Sequence, residues 1–439
     1  MDGMTAAGAI PPVEPLNSVS VPSHDRARLA NGLCVLAAAR PGPLVELRLC
    51  VPLTGAPAVA AVLAETLLSG RERFPHRLDA IGGHLYAAAG ADSLVIGGHA
   101  LATHTRELLD LLAEVLRTPH CPEPVANAAR NRIADALRVA GSEPALAVQE
   151  ALTTVRYAGH PYGESAPSPE RVRQVSTDEV LDLHASRLRP DSATLIVVAP
   201  EPVTDTFEAA SDALASWLGG PEPVPSAPPV PPPRPGSLTL VHRRSAVQSS
   251  IRLGLDVVGL GHPDFPAVEL AHLSLGSMYS CRLVETLRER HGCAYTPRSV
   301  LVHQRQASQL VVSADVSPQS TATALDLIRQ ELRRLATDPV RGAELERVRG
   351  CALGRHTLTM GSSAQLADLM LLLADQGVEL DWVERHLRHL NTVTESDVES
   401  VARRYLDPEL ATEIVLGDTA TLHAQLPESQ TMVHRSTDR

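Results

Sequence analysis

The sequence contains no lysine, so all 39 of its Lys-or-Arg positions are arginine, a bias typical of GC-rich bacterial genomes. Aromatic residues are also scarce: 3 phenylalanines, 6 tyrosines and 2 tryptophans occur in 439 residues. The core must therefore be built from leucine, valine and alanine. The hydrophobic fraction of 44% is still that of a folded globular protein, and the length predicts two or more domains.

Other absences exclude whole classes of protein. The net charge of −12 argues against a general nucleic-acid or anionic-membrane binder. No apolar run approaches the roughly 20 residues that span a bilayer. The start, MDGMTAAGAIPPVEP, lacks the basic and apolar regions of a signal peptide, and the six cysteines form no CxxC pair. These features predict a cytoplasmic protein with reduced thiols.

A proline-rich segment divides the chain near its midpoint. Residues 221–236 read PEPVPSAPPVPPPRPG and contain nine prolines, which favour extended polyproline II and exclude a helix or a central strand. We therefore predict an N-terminal domain over 24–220, a linker over 221–236 and a C-terminal domain over 237–427.

The two halves form a diverged repeat. Each has a strand, two amphipathic helices separated by a proline-containing break, a further helix and a last apolar strand. Ser176 and Thr394 have the pattern of helix N-caps at matching places in the two halves. The paired segments are 93–101 and 308–316, 104–137 and 320–353, and 176–200 and 394–418. The pattern predicts two α+β domains of similar topology.

Several segments carry a resemblance to a known family. The segment TLRERHGCAYTPRSVLV (286–302) places Tyr295 seven residues after Arg288, and it follows a glycine-serine turn in LGSMYSCRLVETL (275–287). In the first half, the loop YAGHPYG (157–163) carries the same resemblance. The chain resembles the insulinase-like zinc peptidases of the M16 family, which include pitrilysin, the mitochondrial processing peptidases and small bacterial relatives. The resemblance covers about residues 24–425. It implies two homologous domains, each a mixed, mainly antiparallel sheet with helices on one face.

The family's zinc site is an inverted motif, His-x-x-Glu-His, on a first-half helix. Residues at i and i+4 share a helix face, so two histidines can bind one zinc ion while the glutamate activates its water. In the corresponding stretch AVLAETLLSG, the motif positions fall on Ala61, Ala64 and Glu65. A further glutamate ligand would fall within 129–140, where Asp135 is the only acidic residue. The resemblance thus implies that this chain binds no zinc there and that a partner subunit supplies it.

Arg288 and Tyr295 are the candidate catalytic residues. The segment 281–290 predicts a helix with Glu285 and Arg288 as neighbours at i and i+3, and a strand is expected to begin near Ala294. An arginine and a tyrosine hydroxyl facing one cavity can bind a peptide carbonyl or stabilise an oxyanion. The alternative is structural: Arg288 complements the helix dipole and Glu285, and Tyr295 packs half-buried.

Two histidine pairs are candidates for an alternative metal site. His386 and His389 are three residues apart, and His99 and His104 are five apart. Neither pair has a third ligand at metal spacing, so we expect solvated or hydrogen-bonded histidines.

The resemblance favours a zinc-less, non-catalytic subunit of a heterodimeric metalloendopeptidase. Its homologous partner would carry the zinc motif, and peptides, including leader peptides of ribosomally made natural products, would be the substrates. The chain would not be a peptidase alone. Two alternatives stay open: a non-enzymatic scaffold or peptide-binding subunit, and an active enzyme with an unrecognised metal site.

Overall fold

A computed structural model of the chain describes residues 20–164, 166–200, 202–220, 227–233, 236–426 and 430–432. These residues contain two six-stranded sheets, one in each half of the chain. The strands of the first sheet are β1 His24–Arg28, β2 Cys34–Ala39, β3 Leu44–Pro52, β4 His84–Ala89, β5 Ser93–Leu101 and β6 Thr194–Ala199. Those of the second are β7 Ser237–His242, β8 Ser249–Val257, β9 Arg298–His303, β10 Ser308–Val316, β11 Thr412–Gly417 and β12 Gln430–Met432.

Helices connect the strands in both halves. In the first half they are α1 Pro57–Leu67, α2 Phe74–Ala80, α3 Thr105–Arg117, α4 Glu123–Ser142, α5 Pro144–Arg156, α6 Pro169–Gln174, α7 Thr177–Arg187 and α8 Val203–Leu214. In the second they are α9 Phe265–His272, α10 Thr321–Thr337, α11 Gly342–Met360, α12 Ser363–Asp375, α13 Trp382–Thr392, α14 Glu395–Tyr405 and α15 Thr419–His423. Two further stretches have wide π-helical turns: Leu273–Ser277 and Val284–Arg290.

The two sheets confirm the predicted α+β repeat. The first has the strand order β1-β2-β6-β3-β5-β4 and the second β12-β7-β11-β8-β10-β9. From the second position onward, each strand of one sheet has its counterpart at the same place in the other. Only the pairs β2–β6, β7–β11 and β7–β12 are parallel, so both sheets are mixed and mainly antiparallel.

Local sequence signals correctly placed several elements. The predicted strands 93–101 and 308–316 are β5 and β10 with the same bounds. Ser176 and Thr394 each form a capping box, in which the cap side chain accepts from the N3 backbone N–H and the N3 carboxylate accepts from the cap N–H.

Each half of the chain contributes one helix that packs on the sheet of the other half. Helix α5 belongs to the first half, yet its apolar stripe packs on the second sheet. That stripe and its partners form one buried cluster of Ala147, Val148, Ala151, Leu152, Val241, Val311, Ile414 and Leu416. An ion pair continues the contact, because Arg156 Nε donates to Asp256 of β8 at 2.8 Å.

Helix α12 makes the reciprocal contact. It belongs to the second half and packs on β3 and β6 of the first sheet. Met370 and Leu373 are buried in the same cluster as Ile196 and Val198. Each sheet therefore carries its own helices on one face, as the resemblance implies, and takes one helix from the other half on the opposite face.

The proline-rich segment is only partly described, over 227–233 and at 236. His160 Nε2 lies 2.9 Å from the Pro228 carbonyl, and Arg156 Nη1 donates to the Pro231 carbonyl at 3.0 Å. This part of the segment therefore runs along the first half. The domain bounds at 220 and 237 stay predictions.

In the described residues, no single helix has both the length and the apolar composition to cross a membrane. The pair α11 and α12 passes that test only in combination, across a bend of 109°.

Candidate functional site

The helix that carries Arg288 is fixed by buried polar contacts. Arg282 forms a two-pronged ion pair with Glu344 of α11, with N–O distances of 2.9 and 2.8 Å. Thr286 donates to Glu331 of α10 at 2.7 Å. Both contacts lie on the inner side of the helix, so they set its position on the domain and leave its last turn near the surface.

The wide turns of Val284–Arg290 change the neighbours of Arg288. Glu285 pairs with Arg290, five residues on, because a π-helix brings i and i+5 together. The expected contact between Glu285 and Arg288 was therefore wrong. Arg288 Nε instead donates to Glu289 at 2.7 Å, and its guanidinium carbon lies 5.1 Å from the centre of the Tyr279 ring.

Tyr295 lies in a bend beyond the end of this helix. Gly292 has a φ of +60°, which ends the helix in a left-handed conformation. The expected strand start near Ala294 was wrong, because Ala294 makes only an isolated bridge to Val316 and β9 begins at Arg298. The side chain of Tyr295 is 80% exposed, so the half-buried packing of the structural alternative is also wrong. Its hydroxyl is accessible to a ligand.

Strand β9 follows Tyr295 and forms one edge of the second sheet. Val300 and Val302 are 40% and 41% exposed, and Arg298 is exposed on the same face. Gly276 of the preceding glycine-serine turn lies against β9, since a Cβ there would come within 2.6 Å of the Ser299 nitrogen. An edge strand with a free backbone and an exposed apolar face can pair with an extended peptide.

The zinc-motif positions lie on α1. Ala64 is buried, Ala61 is half-buried and Glu65 is exposed. Glu65 Oε1 accepts from Arg132 of α4 at 3.1 Å from Nε and 2.7 Å from Nη2. The 439 residues contain no His-x-x-Glu-His segment. A guanidinium thus occupies the space beside the only carboxylate of this set, so these residues do not fit a zinc ion.

The helix expected to hold the further glutamate ligand is α4. Its residue Asp135 pairs with Arg173 at 2.9 Å and with Arg138 at 3.6 Å. Its carboxylate is therefore occupied by two cations.

We expect Glu65→Ala and Arg132→Ala each to change the free energy of unfolding by less than about 1 kcal/mol, because exposed ion pairs are weak. Chemical denaturation of the purified variants measures this. Arg282→Ala is the contrast, since it leaves the less exposed Glu344 without its partner and should cost about 3–5 kcal/mol. A loss of similar size in Arg132→Ala would contradict a weak surface pair.

The two members of each histidine pair found in the sequence have different partners or exposure. His99 lies 5.9 Å from His84 between ring centres, whereas His104 lies 3.6 Å from Glu107. His389 is exposed, whereas His386 is buried and hydrogen-bonded, as expected for a satisfied histidine.

A different cluster surrounds His386. The Nε2 atom of His386 lies 2.6 Å from Oε2 of Glu269 on α9. The Nε2 atom of His356 on α11 lies 3.0 Å from Oε1 of the same carboxylate. Sequence reasoning missed this group, because its members are 87 and 117 residues apart on three helices. A hydrophobic pattern identifies buried positions, but it does not pair distant ones.

Charge states in this cluster follow from burial and hydrogen bonding. Burial alone would raise the pKa of Glu269, but the hydrogen bonds and charges of His356 and His386 outweigh it and hold the pKa well below its usual range. Burial lowers the pKa of His386, and it lowers that of the neighbouring His272 to about 4. The Glu269 carboxylate is therefore ionised at neutral pH, and burial favours the neutral form of His386.

Comparison with known proteins finds a family model that matches part of the chain. Residues 174–350 match the family model described as Peptidase M16 inactive domain. Over these residues, which are less than half of the chain, the protein is similar to that domain. The M16 match includes Arg288 and Tyr295, whereas the zinc-motif positions on α1 lie before it.

Relatives and solved structures are similar over a larger share of the chain. An uncharacterized zinc protease of Mycobacterium tuberculosis is 26% identical over 345 residues, which cover 75% of this chain and 76% of the relative. A protease from Helicobacter pylori has a similar fold, with a TM-score of 0.83, 18% identity and coverage of 90% of this chain and 100% of that one. The periplasmic protease PqqL of Escherichia coli has a TM-score of 0.75 and 14% identity; the match covers 95% of this chain and 49% of PqqL.

Proposed function

We propose that the chain is a zinc-less subunit of a heterodimeric M16 peptidase. The observation that carries this proposal is the Glu65–Arg132 ion pair, which occupies the zinc-motif position, while Arg288 and Tyr295 stay at an accessible surface. The catalytic zinc would be bound by a homologous partner with the His-x-x-Glu-His motif. The fold similarity to half of PqqL supports an assembly of two such chains, because one chain has half of that enzyme's length.

The surface beside β9 supports a role in binding substrate. An extended peptide can add to the free edge of β9 through backbone hydrogen bonds, with its alternate side chains against Val300 and Val302. Unfolded peptides and leader segments satisfy this requirement, since a folded protein offers few free strands. Leader peptides of ribosomally made natural products are the proposed substrates.

Arg288 and Tyr295 are proposed to act on the peptide carbonyl. The guanidinium and the phenolic hydroxyl donate hydrogen bonds to the carbonyl oxygen and strengthen them as negative charge develops on it. The present ion pair between Arg288 and Glu289 is no obstacle, because Glu289 is exposed and such pairs are weak. Arg288 can therefore leave Glu289 and bind substrate with only a small loss of free energy.

The test is a reconstitution. The chain is mixed with a zinc-motif homologue from the same organism, and cleavage of an unstructured peptide is measured for each chain alone and for the mixture. We expect cleavage only in the mixture. Full activity of the homologue alone would overturn the subunit role and leave the scaffold or peptide-binding alternative, and cleavage by this chain alone would overturn its dependence on a partner.

A further inference from the structure

A second group of potential metal ligands consists of residues that belong to neither site described above. Glu269, His356 and His386 come from α9, α11 and α13, and their ligand atoms all lie within 4.8 Å of one another. Within the described part of the chain, no other three His, Cys, Asp or Glu side chains are grouped in this way.

We propose that Glu269, His356 and His386 bind one zinc ion. Two imidazole nitrogens and one carboxylate oxygen, with a fourth position for water, are a known ligand set of protein zinc sites. Zinc bonds of about 2.0–2.1 Å in a tetrahedron separate neighbouring ligand atoms by about 3.3 Å. The three ligand atoms of this group lie within 4.8 Å of one another, so their separations would change by less than about 2 Å when they bind one ion.

The surroundings hold one of the ligands in place before an ion arrives. The ring of His386 stacks on Trp382, with centres 4.2 Å apart and planes 12° from parallel. Trp382 is itself fixed, because its indole N–H donates to the Leu260 carbonyl at 2.9 Å. Phe265 packs on the ring of His386 at 5.4 Å. A preorganised ligand loses less freedom when it binds the metal.

The cluster is accessible from one side. The side chain of His386 is 1% exposed, whereas those of His356 and Glu269 are 18% and 13% exposed. An ion and its water can therefore enter beside His356. Two further histidines nearby have other partners, since His272 Nδ1 lies 3.0 Å from Ser299 Oγ and His303 Nδ1 lies 2.8 Å from Ser308 Oγ.

The competing interpretation is a hydrogen-bonded group that ties three helices together without metal. Both interpretations predict that Glu269→Gln destabilises the fold, so stability alone does not separate them. Zinc uptake separates the two interpretations, because a group held only by hydrogen bonds is not expected to bind one zinc ion per chain.

The experiment uses the untagged full chain after treatment with a chelator. Zinc is added back, and the bound metal, the binding isotherm and the thermal midpoint are measured. We expect one zinc ion per chain and a rise in the thermal midpoint with zinc concentration. We also expect Co²⁺ in place of zinc to give a visible absorption band. His356→Gln and Glu269→Gln should weaken zinc binding by more than about 100-fold, above the loss seen for an outer-shell partner.

The matched control is His389→Gln, an exposed histidine on the same helix as His386, and it should bind zinc like the unaltered chain. Absence of zinc uptake by the unaltered chain would overturn the proposal, as would equal binding by His356→Gln and Glu269→Gln. If a variant fails to fold, the zinc titration of the unaltered chain still tests whether the chain binds zinc. The isolated chain is measured without its proposed partner, so the result does not depend on the subunit role.

Discussion

Leu152→Ala is expected to destabilise the protein by about 2–5 kcal/mol, the usual range for a fully buried leucine. Leu152 is 0% exposed, and it lies on a first-half helix whose apolar stripe fills a cavity over the second sheet. Removing its side chain leaves a void at the contact between the two halves of the chain. Chemical denaturation followed by circular dichroism measures the loss.

The control for this change is on the same helix. Leu146 is 53% exposed, so Leu146→Ala has the same helix propensity change with almost no loss of packing, and we expect an effect of about 0.5 kcal/mol or less. Because α5 covers the second sheet, limited proteolysis of Leu152→Ala should also cleave residues after 237 faster. Equal stability of the two variants would contradict the exchanged-helix packing.

The second large effect concerns the reconstituted peptidase. Arg288→Ala in this chain is expected to lower the kcat of the mixture by about 10²–10³-fold, the range for loss of one oxyanion-stabilising donor. Tyr295→Phe removes only a hydroxyl and should lower kcat in the same direction. A loss in kcat with little change in KM indicates an interaction made in the transition state.

Arg290→Ala is the matched control, because Arg290 is exposed two residues further along the same helix and pairs with Glu285. It should leave kcat close to that of the unaltered mixture. If Arg288→Ala raises KM alone, the residue binds substrate without stabilising the transition state. If neither kcat nor KM changes, the proposed role of Arg288 is wrong.

Short-range signals in the sequence were sufficient for the elements and the repeat. Alternating apolar residues defined β5 and β10, and a serine and a threonine three residues before an acidic residue defined two helix starts. These signals act within one turn or one strand, so they survive in any fold that contains the element.

Of the features that sequence reasoning missed, two depend on contacts between residues distant in the chain and one depends on local helix geometry. An apolar stripe on α5 predicts a buried face, but it does not say which sheet covers that face. Likewise, the i and i+3 spacing of Glu285 and Arg288 assumes 3.6 residues per turn, and the wider turns paired Glu285 with Arg290 instead. Glu269 and His356 carry no local pattern that links them to His386.

The exchanged helices also constrain how the chain can fold during synthesis. The first sheet is complete once Ala199 has been made, but the helix that covers its second face ends at Asp375. Domains usually fold as units while the chain emerges from the ribosome. Here the side of the first sheet that contains Ile196 and Val198 stays uncovered until most of the second half has been translated. An isolated first half would present that apolar side to solvent, so the two halves are expected to depend on each other from biosynthesis onward.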